Sequence, residues 1–225
     1  SVNYTHAMRR IVSARVNVIG QMIAAREERY SLSCNTDITL DLIPELQRKA
    51  GRESFVVVGE INERLPFMVN DAEVPASEFD MLLDAGGYDL AGLPAAQVDL
   101  VSHAIGLRAA RLVKDGGTLQ IGIGSLGDGA AQSVRLRHLD AAAFNTALSA
   151  LPGPSGPVDE GGDSAFKAGL YGCTEMFTQG MMELLRAGVF TRRVREGSAV
   201  TIDGGFYLGP QSFYDSLRGA PPEML

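Results

Sequence analysis

The sequence predicts an α/β fold, a mainly parallel β-sheet flanked by helices. Three observations carry this. Short β-branched runs at 15–19, 55–59, 118–123 and 199–202 have the length and composition of buried strands. Segments with helical spacing lie between them, the alternation expected of crossover units. The composition is that of an ordinary folded chain, with 45% apolar and 21% charged residues in 225. That is enough to bury a sizeable core.

The elements follow in order. Residues 15–19 and 55–59 (FVVVG) are the first two strands. Between them, Ile38, Leu42 and Leu46 recur every four residues and mark one face of a helix over 37–49, with Thr36 or Asp37 as the expected cap. A helix over 98–113 places Val98, Val101, Ile105, Ala109 and Leu112 on one stripe. Lys114 at its end and Gly116 beyond are stop signals. The strand 118–123 (TLQIGI) runs into a helix over 128–138. Helices at 181–187 and 211–218 are closed by Gly188 and Gly219. At roughly 150 residues per domain, the length suggests one to one and a half domains. The stretch 86–94 (GGYDLAGLP) reads as a linker, so 1–92 and 93–225 are expected to be two parts. A Gly/Pro-rich insertion occupies about 140–168. Within it, 151–162 (LPGPSGPVDEGG) has the composition of a surface excursion.

Composition also narrows the function. The net charge is −7 and the arginines are scattered, so nucleic acid is not an expected partner. No apolar run approaches the roughly 18 residues of a membrane span, so no membrane partner is expected either. Residues 1–10 lack the apolar core of a signal peptide. Cys34 and Cys173 form no paired motif, which suits a reducing, cytoplasmic setting. With only His6, His103 and His138 besides, no metal site is expected. The chain opens on Ser1 rather than Met and reads as a piece of a longer protein.

Glycine is the outlier, at 26 residues. The sharpest cluster lies in Thr118-Leu-Gln-Ile-Gly122-Ile-Gly124-Ser-Leu-Gly127-Asp-Gly129. Glycines at a strand end uncover backbone N–H groups and let a polar ligand approach without a Cβ in the way. A helix N-terminus beside them favours phosphate or an oxyanion. Gly122, Gly124 and Gly127 match GxGxxG, which by itself also fits a dinucleotide site or a plain strand-to-helix turn. The dinucleotide alternative makes Asp140, 18 residues after Gly122, the ribose-binding acid. It requires a strand ending there, where the Ala-rich sequence reads as helical.

Other candidates are weaker. Glu175, beside Met176 and Phe177, is read either as partly buried or as a first-turn glutamate complementing the next helix. Cys173 reads as a small buried hydrophobe in preference to a thiol nucleophile, which would need His103 or His138 as a base. Glu60, Asn62 and Asp71 follow the FVVVG strand, at the end where open α/β sheets bind ligands. Asn62 and Asp71 equally have the chemistry of turns. Arg192, Arg193 and Arg195 read as a solvated loop, with a phosphate contact as the alternative.

Taken in order, several motifs resemble one family. Ser31-Leu-Ser-Cys-Asn-Thr-Asp37-Ile-Thr-Leu is similar to its Ser-Leu-Gly…Asp-Ile/Ala-Thr segment. Phe55-Val-Val-Val-Gly-Glu-Ile-Asn62-Glu-Arg-Leu-Pro66 resembles its strand ending in Val-Asn-Pro-x-Met-Pro, and Asn70-Asp71-Ala its Gly-Asp-Ser. Lys114-Asp-Gly-Gly-Thr-Leu-Gln-Ile-Gly-Ile-Gly124 is close to Asp-Gly-x-Thr-Leu-Gln-x-Gly-Ile-Gly. Cys173-Thr-Glu175-Met-Phe-Thr-Gln-Gly180 resembles His-Thr-Glu-Met-Phe-Ser-Asp-Gly. Phe206-Tyr-Leu-Gly209 with Phe213-Tyr-Asp215 resembles Phe-x-x-Gly-Ser-x-x-Leu-Tyr-Asp. This is the acetyl-CoA hydrolase/CoA-transferase family, which includes 4-hydroxybutyrate and butyryl/acetate CoA-transferases.

The resemblance implies two CoA-transferase-like domains of the NagB/RpiA/CoA-transferase type, with 1–92 the C-terminal part of the first and 93–225 the N-terminal part of the second. It implies a short-chain acyl-CoA thioester as substrate, no permanently bound cofactor, a carboxylate acceptor where the reaction is a transfer, and a homo-oligomer. A glutamate carboxylate attacks the thioester to give an acyl–glutamyl anhydride and CoA thiolate. The thiolate then returns to give a glutamyl-CoA thioester, or water intercepts. Gly122, Ile123, Gly124 and Ser125 match the loop that contacts CoA, and Asn62 and Glu175 are carried over as substrate-binding positions. The family's nucleophilic glutamate and its Gly-x-Gly-Gly loop come later than Asp215, and neither motif occurs before Leu225, so the catalytic residue is not assigned. Three departures stand out: Gly124-Ser-Leu-Gly127-Asp in place of Ile-Pro-Asp, Cys173 in place of the usual His, and the 140–168 stretch. Two alternatives remain: a dinucleotide-binding oxidoreductase and a non-catalytic CoA-binding module.

Overall fold

A computed structural model describes residues 3–84, 86–92, 97–153 and 161–220. These form two compact units. One contains the described residues up to Gly92 together with those from Pro210 on, and the other those between.

The first unit opens with α1 (Ala7–Ser13), β1 (Val18–Arg26) and β2 (Arg29–Ser31). Helix α2 (Thr39–Ala50) leads to β3 (Val56–Ile61), the short β4 (Glu73–Val74) and β5 (Met81–Asp84). The sheet order is β4-β2-β1-β3-β5. β1, β3 and β5 run parallel, while β2 and β4 add antiparallel pairs at the other side. This sheet is therefore mixed, within an α/β fold whose strand pairings are mainly parallel, as expected. The antiparallel part is a tight β1–β2 hairpin turned by Glu27 at φ 57, and its short strands carry too little pattern to be seen in sequence.

Ile19, Leu42, Leu46, Phe55 and Val57 form one core cluster, covered by Met8, Ile11 and Val12 of α1. The α2 stripe predicted from Ile38, Leu42 and Leu46 thus packs on β1 and β3. Each such aliphatic side chain contributes about 1.5–3 kcal/mol on full burial. Neither Thr36 nor Asp37 caps α2. Its N-cap is Ile38, without a side-chain bond, because Asp37 is spent on a left-handed turn at φ 44. β1 starts later than 15–19 for a similar reason: Arg15 turns the chain at φ 57.

In the second unit, α3 (Leu100–Leu112), the two-residue β6 (Thr118–Leu119), α4 (Ser125–Leu139) and α5 (Ala141–Ser149) precede β7 (Tyr171–Phe177), α6 (Gln179–Arg186) and β8 (Ile202–Tyr207). The sheet β6-β7-β8 is parallel throughout, and the helices bury Ala110, Val134, Phe144, Met181 and Leu184. Asp99 caps α3 by accepting from Ser102 N at 2.6 Å.

Two strand positions are corrected here. β8 spans Ile202–Tyr207 rather than 199–202, running through Gly204 and Gly205. β7 was not foreseen as a strand; its Gly172 leaves room for Ile202, whose side chain would meet an added Cβ at 2.8 Å. The 140–168 stretch begins as α5, in keeping with its Ala-rich start, while the core of its Gly/Pro run, 154–160, lies outside the described residues, as do 93–94 of the expected linker. Last comes α7 (Gln211–Arg218), as expected from sequence; it belongs to the first unit and buries Phe213, Tyr214 and Leu217. No helix among the described residues is long and apolar enough to cross a membrane.

Candidate functional site at the glycine loop

The strand expected over 118–123 pairs only through Leu119 and then leaves the sheet. Ile121 is buried, and its carbonyl accepts from the Thr174 hydroxyl of β7 at 3.2 Å. From there the chain turns outward: Gly122, Ile123 and Gly124 are exposed, and an added Cβ on Gly122 or Gly124 would meet nothing within 4 Å. Gly124 sits at φ 102 as the N-cap of α4, a backbone state that favours glycine. Gly127 has a different duty. Its absent Cβ would stand 2.1 Å from the Gly122 carbonyl oxygen, so it lets the first turn of α4 press against the strand end.

α4 therefore begins at Ser125, earlier than the expected 128. The first amides of a helix have no partner within it and carry its positive dipole end. The Ser102 hydroxyl of α3 donates to Ser125 Oγ at 3.4 Å. Beside the loop runs a groove of about 320 Å³, with Ala110 of α3 and Val113 just past its end, Leu119 and Ile123 of the strand end, and Leu126 and Val134 of α4 among its lining. Chemically this is exposed glycine backbone and a helix N-terminus at the edge of an apolar trough. It suits an anion or oxyanion attached to an apolar body.

Asp128, in the first turn of α4, has its pKa raised by burial and by the nearby charge of Glu183 on α6. Among the described residues, no cluster of three or more His, Cys, Asp and Glu is arranged to hold a metal ion.

The predicted residues part company here. Gly122, Ile123 and Gly124 form one continuous exposed loop, and Ser125 opens α4 directly after it. Glu175 lies on β7 one residue past Thr174 and is exposed, so partial burial is not its state, and it lies in a strand rather than a helix's first turn. Cys173 is also exposed, and Cys34 is the buried cysteine. Cys173 and Glu175 are the exposed positions of β7, and Thr174 between them is buried.

Asn62, in the first unit, is fully buried. Its Nδ2 donates to Tyr88 O at 3.2 Å and approaches Met22 Sδ at 3.9 Å, and its Oδ1 accepts from Arg64 N at 2.9 Å. That is the turn-forming role. Asp71 lies in a tight turn over Asn70–Ala72. Glu60 accepts from the Tyr88 hydroxyl at 2.6 Å.

Arg192 and Arg195 are engaged within the second unit. Arg195 pairs with Asp203, which also accepts from the Tyr171 hydroxyl. Arg192 donates to Thr118 Oγ1 at 3.3 Å. Asp140, the acid of the dinucleotide alternative, ends no strand. It lies between two helices and caps α5 by accepting from Ala143 N at 2.9 Å. That alternative loses its second requirement.

Two residues that matter were missed. Arg137 is buried on α4 with all its bonds to backbone carbonyls. Asp115 accepts from the amides of Lys167, Ala168 and Gly169. Asp115 had a signal, since it stands in the motif leading to the glycine loop; Arg137 had none.

The fold is that of the CoA-transferase-type α/β proteins, and the chain resembles the acetyl-CoA hydrolase/CoA-transferase family in sequence as well. It is 24% identical over 174 residues to the 4-hydroxybutyrate coenzyme A transferase of Clostridium kluyveri, covering 77% of this chain and 33% of that protein. It is 26% identical over 184 residues to the succinyl-CoA:acetate/propanoyl-CoA:succinate CoA transferase of Fasciola hepatica, covering 79% of this chain and 31% of the relative. Among solved structures it is similar to RipA from Yersinia pestis (TM-score 0.68, 18% identity, 98% of this chain and 42% of that one). It is also similar to the 4-hydroxybutyrate CoA-transferase of Porphyromonas gingivalis (TM-score 0.63, 21% identity, 98% and 48%). No family model matches the chain. The chain spans about a third of the curated relatives' length.

Proposed function

We propose that this chain is part of a cytoplasmic enzyme of CoA thioester chemistry, an acyl-CoA hydrolase or CoA-transferase acting on a short-chain acyl-CoA, and that residues 122–125 hold the thioester end of CoA. The observation that carries this is the exposed loop from Gly122 to Gly124 leading into α4 at Ser125, beside an apolar groove, in a chain similar to CoA transferases. Backbone N–H groups there would stabilise the oxyanion formed when a carboxylate attacks the thioester carbonyl. The attack breaks the C–S bond, releases CoA thiolate and leaves an acyl–glutamyl anhydride. The thiolate then attacks the glutamyl carbonyl, expelling the acyl carboxylate and leaving a glutamyl-CoA thioester. An acceptor carboxylate, or water in a hydrolase, takes the reaction onward.

In this reading the nucleophilic glutamate is supplied from outside these residues, and Glu175 lines the site without attacking. Asn62 shapes the turn after β3. The whole enzyme is read as a homo-oligomer without a resident cofactor. The test mixes the chain with acetyl-CoA and follows free thiol, with calorimetric titration of CoA and of NAD alongside. The expected result is CoA binding without turnover. Substantial turnover abolished by Glu175→Gln would overturn the external nucleophile, and binding of NAD without CoA would overturn the site.

A further inference from the structure

Two clamps hold α3 against α4. At one end, Gly106 and Gly129 bring the backbones into contact. A Cβ on Gly106 would stand 2.4 Å from the Gly129 carbonyl oxygen, and one on Gly129 2.7 Å from that of Ser102. At the other end, the side chain of Arg137, 1% exposed, reaches from α4 to the last turn of α3. Its Nη1 donates to Ala110 O at 2.7 Å and to Val113 O at 2.6 Å, and its Nε donates to Ser164 O at 2.8 Å. The Phe166 ring covers it, with the guanidinium carbon 4.2 Å from the ring centroid. The last carbonyls of a helix have no partner inside it, so Arg137 caps α3 from a neighbouring helix. Ala110 and Val113, whose carbonyls it holds, also line the groove beside the glycine loop.

A guanidinium is a costly way to join two helices. Burial lowers the pKa of Arg137, and the charges of Asp115 and Asp163 act in the opposite direction. A well-packed apolar side chain of similar volume often serves stability as well or better. An apolar contact does not fix direction, however. A planar fork with three acceptors sets where the end of α3 stands relative to α4.

We propose that Arg137 is a positioning residue: it sets the width of the groove and the placement of the adjoining 122–125 loop, and through them the affinity for the CoA thioester. This rests on the function proposed above. Arg137→Met and Arg137→Lys in the full chain provide the test, with Asp140→Ala, which removes the α5 cap, as a control for general destabilisation. Binding of butyryl-CoA is measured by calorimetry, and amide hydrogen exchange is followed over 119–127. The expected result is that Arg137→Met keeps its helical circular dichroism, binds butyryl-CoA at least tenfold more weakly, and exchanges at least tenfold faster over 119–127. Arg137→Lys is intermediate, and Asp140→Ala moves neither readout. Should the Met variant fail to fold, the Lys variant carries the comparison. Folded variants binding within twofold of wild type overturn the proposal. If the wild-type chain itself does not bind butyryl-CoA, the functional reading fails, and Arg137 is judged on exchange alone. Unchanged exchange over 119–127 then overturns it.

Discussion

The carboxylate of Asp115 gathers the backbone after the undescribed 154–160 stretch. Lys167 N donates to it at 2.9 Å, Gly169 N at 3.0 Å and Ala168 N at 3.1 Å. Burial alone raises its pKa, but the amides of Ala168, Lys167 and Gly169 outweigh burial and hold it below the ordinary value. A depressed pKa means that the folded state binds the proton more weakly than the unfolded chain. The stabilisation is therefore complete above the unfolded value of about 3.9 and is lost as pH falls through the lower folded value. Asp115→Asn is expected to cost about 1–3 kcal/mol at pH 7 and less near pH 3. Urea unfolding at both pH values checks this, and an equal loss at both would reject it. The two cysteines give a second test. Burial pushes the Cys34 thiol up to about 12, with the Ser33 hydroxyl acting weakly the other way, while Cys173 is exposed. One thiol should react quickly with an aromatic disulfide reagent at pH 8, and Cys173→Ser should remove it. Rapid reaction of both in the folded chain would contradict the placement of Cys34.

At the scale of elements, the junction of β6 and α4 separates glycines that a motif treats alike. Gly127→Ala would drive a methyl to 2.1 Å from the Gly122 carbonyl oxygen, and overpacking of this kind costs about 1–3 kcal/mol or more. Gly124→Ala would strain a residue at φ 102, at about 1–3 kcal/mol. Gly122→Ala meets open space and should change stability by less than about 0.5 kcal/mol. Thermal unfolding of the three variants ranks them, and a Gly122→Ala variant as unstable as Gly127→Ala would refute this geometry. The ranking was not legible in the sequence. Gly122-Ile-Gly124-Ser-Leu-Gly127 shows that glycine is required, but not whether for conformation, for close approach or for access.

Across the whole molecule, the chain makes two compact units, each with its own core. Leu46 lies in the first core and Leu184 in the second, and both are buried. Leu46→Ala and Leu184→Ala should each cost about 2–5 kcal/mol and should move different parts of a urea transition followed by hydrogen exchange. If both shift a single transition equally, the units unfold as one. The long periodic elements were legible at this scale. Helix α7 matched its predicted range, and α2 and α3 lay within a few residues of theirs, because their apolar spacing and stop signals are local. β2, β4 and β5 were not seen, since two to four residues carry no period to read. β7 and β8 were obscured because their glycines answer to neighbouring strands rather than to the local chain.

By itself, the sequence determined the α/β class, the order of the main helices, the glycine loop and the likeness to CoA transferases. All of these depend on local period, composition or motif order. Only the tertiary structure decided which side chains are buried and what each polar group touches. It turned Asn62 into a saturated turn residue and placed Glu175 and Cys173 on the outward face of β7. It also drew Arg137 onto three carbonyls from segments 24–27 positions away in sequence. The physical reason is range. Backbone preference and amphipathic period act within a few residues, whereas burial and hydrogen-bond partners are set by chain segments that meet only after the sheet has formed.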